Sequence, residues 1–228
     1  MRKLPVTLLL ILLATGLAAQ DDCRAVVNYR PGSAWTYQWY GANEKVTYQT
    51  IHRVVDYDAG DQRSNLELLI LNAFQDTVYR GQYAVRCKPE GLYQDLLAKL
   101  TPDMLSSLEG LALRAEDQGW LLPRGAHPGD TIPQSYSRIT GYDQNVLVLE
   151  LSLAVGPVVI LAQEDLSTPA GGFSCVAMTY ELLITQIVQK SFRLRDWFSP
   201  GVGVIRREVF DRRGNFFGYC ELINYKKA

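Results

Sequence analysis

The chain reads as a mainly β protein built on one large antiparallel sheet, curved or closed on itself, with a single short helical insertion. Three observations predict this. Apolar and polar residues alternate with period two through most of the chain. Turn residues separate these runs at hairpin spacing, as at Gly41-Ala42-Asn43, Gln75-Asp76 and Arg213-Gly214-Asn215. The period changes to that of a helix only once, just after Gly91.

The first strand places Trp35, Tyr37 and Trp39 on one face, with Thr36, Gln38 and Tyr40 on the other. A second strand is expected over Val46 to Val55, a polar loop over Tyr57 to Ser64, and a third strand from Leu66 through Leu68 and Ile70. In the fourth, Tyr79, Tyr83, Val85 and Cys87 alternate with Arg80, Gln82 and Arg86. Leu92, Leu96, Leu97 and Leu100 then fall on one helical stripe. Thr101-Pro102 follows as an N-cap with proline at the first helical position. Met104, Leu105 and Leu108 form the inner face of that helix, and Gly110 ends it. A lid or plug over the sheet is therefore expected at about residues 92–109. Residues 111–142 carry short strand-like pieces around a Pro/Gly-rich loop from Pro123 to Pro133. Strands resume at Val146–Val155, Val158–Glu164, Phe173–Gln189, Lys190–Phe198, Val202–Phe210 and Phe216–Tyr225.

The N-terminus carries Arg2 and Lys3, an apolar run from Leu4 to Leu13, and small residues at Ala14, Gly16, Ala18 and Ala19. This is the layout of a cleaved signal peptide over residues 1–19, leaving residues 20–228 as one β-rich domain. The apolar run is shorter than the roughly 20 residues that cross a bilayer. Asp22 before Cys23 is unlike a lipidation site. No later segment reads as a membrane-spanning helix. Removing Arg2 and Lys3 leaves 21 basic and 24 acidic residues. A nucleic-acid partner would need a basic surface, which this balance does not provide.

In an oxidising compartment, Cys23, Cys87, Cys175 and Cys220 are compatible with disulfides in three alternative connectivities, or with buried thiols. Their spacing matches no zinc site. The only histidines are His52 and His127, and no G-x-S-x-G turn accompanies them. Asp56, Asp58 and Glu67 match three places of a calcium loop, but Asp61 stands where its sharp turn needs Gly. Gly201-Val202-Gly203 lies between two strands, where a dinucleotide loop would precede a helix. Arg206 and Glu208 share a strand face as an ordinary ion pair. The adjacent pairs Glu116-Asp117 and Glu164-Asp165 point to opposite faces if they lie in strands. No catalytic residue, metal site or cofactor is expected, and the chain is read as non-enzymatic.

The aromatic residues suggest core packing and, more sharply, the lining of a concave apolar cavity. The candidates are Trp35, Tyr37, Trp39, Tyr83, Leu96 and Leu100.

Several segments carry a family likeness. Thr168-Pro169-Ala170-Gly171-Gly172-Phe173-Ser174-Cys175 and Trp197-Phe198-Ser199-Pro200-Gly201-Val202-Gly203 resemble elements of a family of uncharacterised exported proteins common among Bacteroidota. Tyr29-Arg30-Pro31-Gly32-Ser33-Ala34-Trp35, with Cys23 before it, is similar to the family's opening. Asp211-Arg212-Arg213-Gly214 and Glu221-Leu222 match its closing hairpin, and Pro128-Gly129-Asp130-Thr131-Ile132-Pro133 its central loop. Cys220 departs from the small polar residue usual there. The family is akin to the domain of unknown function 3108 group and is similar in fold to the periplasmic lipoprotein-localisation factors. That resemblance implies a curved half-barrel with a helical lid over an apolar cavity, in the periplasm of a Gram-negative bacterium. A lipid or other apolar small molecule is the partner it implies. The alternative is an envelope module that binds another protein.

Overall fold

The computed structural model describes residues 29–116, 119–123 and 125–228. The expected signal peptide and Cys23 lie outside the described residues. The strands are β1 (Ala34–Gly41), β2 (Val46–Asp58), β3 (Arg63–Asn72), β4 (Thr77–Lys88), β5 (Gly91–Gln94), β6 (Ala112–Glu116), β7 (Trp120–Pro123) and β8 (Thr131–Ile132). They continue as β9 (Ser135–Asp143), β10 (Val146–Val155), β11 (Val158–Thr168), β12 (Gly171–Thr185), β13 (Gln189–Ser199), β14 (Gly203–Asp211) and β15 (Phe216–Lys226). A 3-10 turn (Leu96–Lys99) and one helix, α1 (Pro102–Ser106), lie between β5 and β6.

All fifteen strands join one antiparallel sheet, in the order β6-β9-β10-β12-β13-β14-β15-β1-β2-β3-β4-β5-β7. β11 lies off this path, paired with β12 and β8. β10 and β11 are in effect one long strand, because both run antiparallel to β12 on the same side. The break falls at Gly156-Pro157. Gly156 still donates to the Glu181 carbonyl, whereas proline has no N–H to give. The sheet is not closed into a barrel. Its terminal strands, β6 and β7, are nevertheless consecutive in the chain, so Glu116 and Trp120 lie at most about 14 Å apart. An open sheet whose two ends are tied this closely must curl.

The alternation places one apolar row of each strand on the concave face. Leu66, Leu68 and Ile70 on β3 are buried, as are Leu194 on β13, Ile205 and Val209 on β14, and Leu222 on β15. The helical segment fills the hollow between them with Leu96, Leu97, Leu100 and Leu105.

Two local expectations change. Leu92 belongs to strand β5 and not to a helix, because Gly91–Gln94 pairs with β4 and β7 before the chain turns inward. The helical stripe therefore begins at Leu96. The loop expected at Tyr57–Ser64 is a tighter turn: β2 continues to Asp58, whose carboxylate accepts from the N–H groups of Gly60 and Asp61. Helix α1 starts where its signals place it, with Thr101 at the N-cap position and Pro102 in the first turn. The Thr101 hydroxyl makes no capping bond, however, and the helix ends at Ser106, with turns from there to Gly110 at φ +84°.

Gly91 has φ +155°, and a Cβ there would lie 2.3 Å from the Leu122 carbonyl oxygen. Substitution Gly91→Ala should cost about 2 kcal/mol or more in urea unfolding. Gly172→Ala, with nothing within 4 Å of the added carbon, should stay within about 0.5 kcal/mol of the parent.

Candidate functional site

The concave face carries one charged group of residues. A single row crosses five strands: Trp39 on β1, Cys220 on β15, Arg207 on β14, Asp196 on β13 and Met178 on β12. Strand alternation turns all five side chains inward, so a cation and an anion stand side by side among apolar neighbours. Arg207 grips Asp196 with two parallel hydrogen bonds, Nε to Oδ1 at 2.7 Å and Nη2 to Oδ2 at 2.8 Å. Tyr180 donates its hydroxyl to Asp196 Oδ2 at 2.8 Å.

The helical segment is fastened to this pair from above. Arg207 Nη1 donates to the Ala98 carbonyl at 3.3 Å. Lys99, fully buried, brings Nζ to 3.6 Å from Asp196 Oδ2 and 3.6 Å from the centre of the Trp120 ring. The Trp120 face partly replaces lost water as a cation–π partner. One end of the segment is also capped locally, by Asp95 accepting from the Leu97 N–H at 2.9 Å.

Burial dominates the electrostatics. It pushes the Lys99 ammonium down to about 7, against the opposing pull of Asp196. Burial would raise Asp196, but Arg207, Lys99 and Tyr180 outweigh it and hold the carboxyl at about 2. His52 is held at about 3, first by burial and then by the Arg207 charge, with Nδ1 2.9 Å from the Tyr83 hydroxyl. Cys220 is pushed up to about 12 by burial, so its thiol stays protonated.

Beside the charged group, under the plug, remains a cavity of about 70 Å³. Trp35, Tyr37, Trp39, Tyr83 and Leu100 line it, together with His52, Thr50, Leu105 and Arg207. Leu96 is not part of this wall. It faces a second hollow of about 680 Å³ at the seam between β4, β5 and β7 on one side and β6 and β9 on the other. That seam is lined by polar groups such as Arg63, Glu116, Ser135 and Ser137. The inner cavity is far smaller than the roughly 300–1,000 Å³ of an ordinary small-molecule site.

Cys175 and Cys220 are buried free thiols, so two disulfides are not formed and the expected pairing is corrected at these positions. They lie on β12 and β15, three strand spacings apart, whereas a disulfide needs Cα atoms within about 7 Å. Cys87 is not among the free thiols, and Cys23 lies outside the described residues. Among the described residues no three His, Cys, Asp or Glu side chains gather as a metal site, and no helix is long and apolar enough to cross a membrane. Arg206 and Glu208 form the expected ion pair, at 2.9 Å. The charged group itself was not expected. Its signal is the run Ile205-x-Arg207-x-Val209, in which arginine takes an inward place between two core residues.

An open, curled antiparallel sheet with its own short helical segment on the concave face defines a half-barrel class of fold. The chain belongs to the DUF3108-like family, whose model matches residues 30–222. A protein of Bacteroides fragilis assigned as exported, with a YmcC-like fold, superposes at TM-score 0.73 and 20% identity. That match covers 89% of this chain and 98% of the other. A protein of Parabacteroides distasonis assigned as a lipoprotein superposes at TM-score 0.69 and 18% identity, covering 88% and 99%. At these identities the likeness shows the fold. No curated protein matches the chain.

Two outcomes follow from the charged group. Asp196→Asn leaves the buried Arg207 guanidinium without its anion and should cost about 3–5 kcal/mol, measurable by urea unfolding. Lys99 binds its proton at about 7 folded and 10.5 unfolded, so the unfolded state holds more protons between these values and stability rises with pH across that window. Lys99→Met should therefore be more stable than the parent near pH 6, and the difference should shrink towards about pH 10. On the acid side the signs are opposite in origin but alike in effect. Stability falls below about 6.5 as unfolded His52 charges, and again from about 4 to 2 as Asp196 protonates.

Proposed function

We propose that this chain is a non-enzymatic binding or carrier protein of the cell envelope, for an apolar ligand such as a lipid or acyl chain. The observation that carries the reading is the pairing of an aromatic and aliphatic concave face with a short segment that covers it. That cover is held by a local polar clasp, and the cavity lies directly beneath it. A covering segment of Leu96 to Leu105 is small enough to be displaced, and it offers the concave face the same apolar contacts that an acyl chain would.

The volume fixes how such binding must work. About 70 Å³ cannot hold an acyl chain while the plug is seated. Ligand and plug therefore compete for one surface, and the affinity is reduced by the free energy needed to lift residues 95–111. Arg207, at the cavity wall and bonded to the Ala98 carbonyl, is the group an incoming carboxylate or phosphate would meet.

The alternative is an envelope module that binds another protein, with its hollow permanently filled. What favours it is the set of apolar side chains exposed at the strand turns, including Phe74, Ile187 and Val188.

Protein recovered from an envelope fraction should carry an extractable lipid in native mass spectrometry. Leu105→Ala, which loosens the plug, should raise uptake of a fluorescent fatty acid several-fold over the parent. Bare polypeptide in the first measurement, together with no uptake by the loosened variant, would rule out the carrier.

A further inference from the structure

The strand registers place five turns at one end of the half-barrel. β1 ends at Gly41 beside Gly218, next to the β14–β15 turn, and β13 meets Asp211 at Phe192. β10 begins beyond the level of Thr185, because Ser152 is the residue paired with it. The β1–β2, β3–β4, β9–β10, β12–β13 and β14–β15 turns therefore share a rim. The most exposed large apolar side chains sit there: Ile187 at 93%, Phe74 at 84%, Val188 at 70% and Val146 at 63%.

Three of these tips carry consecutive exposed apolar residues. They are Val146-Leu147-Val148, Ile187-Val188 and Phe216-Phe217. Phe217 touches the Phe192 ring and Phe216 the Phe210 ring, yet both stay more than a third exposed. Neighbours in an extended chain point to opposite sides, so Val146–Val148 and Phe216–Phe217 carry exposed apolar surface on both faces of their hairpins, only partly covered at the two phenylalanines. Consecutive exposed apolar residues have no packing rationale in the domain itself. A protein partner lying against the sheet would cover one face only. A lipid interface surrounds a tip from every side.

The charge at two of these tips agrees. Lys190 and Arg193 flank the β12–β13 turn, Arg212 and Arg213 form the β14–β15 turn, and all four are exposed. The acid between them, Asp211, is turned into its own loop, where it accepts from the N–H groups of Arg213 and Asn215 and from the Asn215 side chain. Other acids on or beside these tips are Asp143 at the end of β9, Glu181 across from Arg193, and Glu44 next to Lys45 on the β1–β2 turn, so the positive excess rests on Lys190, Arg212 and Arg213. From this placement we infer that the β9–β10, β12–β13 and β14–β15 tips dock the protein on an anionic lipid surface, with Leu147, Ile187, Val188 and Phe217 entering the headgroup boundary. The docking is independent of whether the hollow takes a ligand.

The test is co-flotation of the exported protein with vesicles of phosphatidylethanolamine and phosphatidylglycerol, and with vesicles of phosphatidylcholine alone. Binding to the anionic vesicles is expected. Leu147→Ser, Ile187→Ser and Val188→Ser together should weaken it about tenfold or more. Arg212→Gln with Arg213→Gln should weaken it about tenfold on the anionic vesicles only. All five positions are exposed, and an unchanged circular dichroism spectrum checks that each variant is folded. No flotation with either vesicle would overturn the inference. So would flotation that the tip variants leave unchanged, which would belong to another part of the chain. A rim that instead makes a dimer in sedimentation, lost in the apolar triple variant with no lipid binding in the parent, would also overturn it.

Discussion

The rest of the molecule depends on the contact between Arg207 and Asp196. Two charges lie in the floor of an otherwise apolar hollow, where each alone would carry a desolvation cost of several kcal/mol. Their bidentate geometry, 2.7 and 2.8 Å, is the arrangement in which an arginine and a carboxylate best replace water for one another. Because β13 and β14 are paired through this same position, the contact also fixes which faces of the two strands turn inward. A slip by one residue would move Leu194 and Ile205 outwards together with the charges.

The same pair explains why the covering segment lies where it does. A 3-10 turn followed by a five-residue helix has too few internal hydrogen bonds to persist alone. It is held by its leucines and by the meeting of the Ala98 carbonyl and Lys99 with the charged floor. Lys99 is an uneasy component, since its ammonium is buried with one anion shared between two cations. Such a group stabilises a particular arrangement and costs stability at the same time. That combination suits the displaceable cover of the proposed carrier better than a permanent core.

The sheet was legible because a half-buried strand writes its own period. Trp35-x-Tyr37-x-Trp39 and Leu66-x-Leu68-x-Ile70 need no tertiary information to be read as strands. Leu92 shows the limit: its spacing to Leu96 fits a helical face, yet pairing with β4 and β7 prevails, because backbone groups at a sheet edge must be satisfied. The curved sheet and its single plug were legible in the strand periodicity and its one change to a helical stripe, while the half-barrel shape came from the resemblance to an exported family. The charged clasp stayed hidden for a different reason. Arg206 and Glu208 drew attention as a visible pair, while the informative residue was Arg207 between them, whose partner Asp196 is on another strand. Only the β13–β14 register brings them together, and register is set by the whole hairpin.

The inside and the rim of the half-barrel therefore differ in kind. Inside, apolar surface is covered by the chain itself and the remaining space is small. At the rim, apolar surface is left uncovered on hairpin tips whose side chains contribute little to the core. A protein selected only for stability would have the reverse economy, with polar tips and no buried lysine. The two departures are separate in the fold, the lysine under the plug and the apolar side chains on the hairpin tips. The rim proposed to dock on lipid can therefore do so whether or not the plug ever moves.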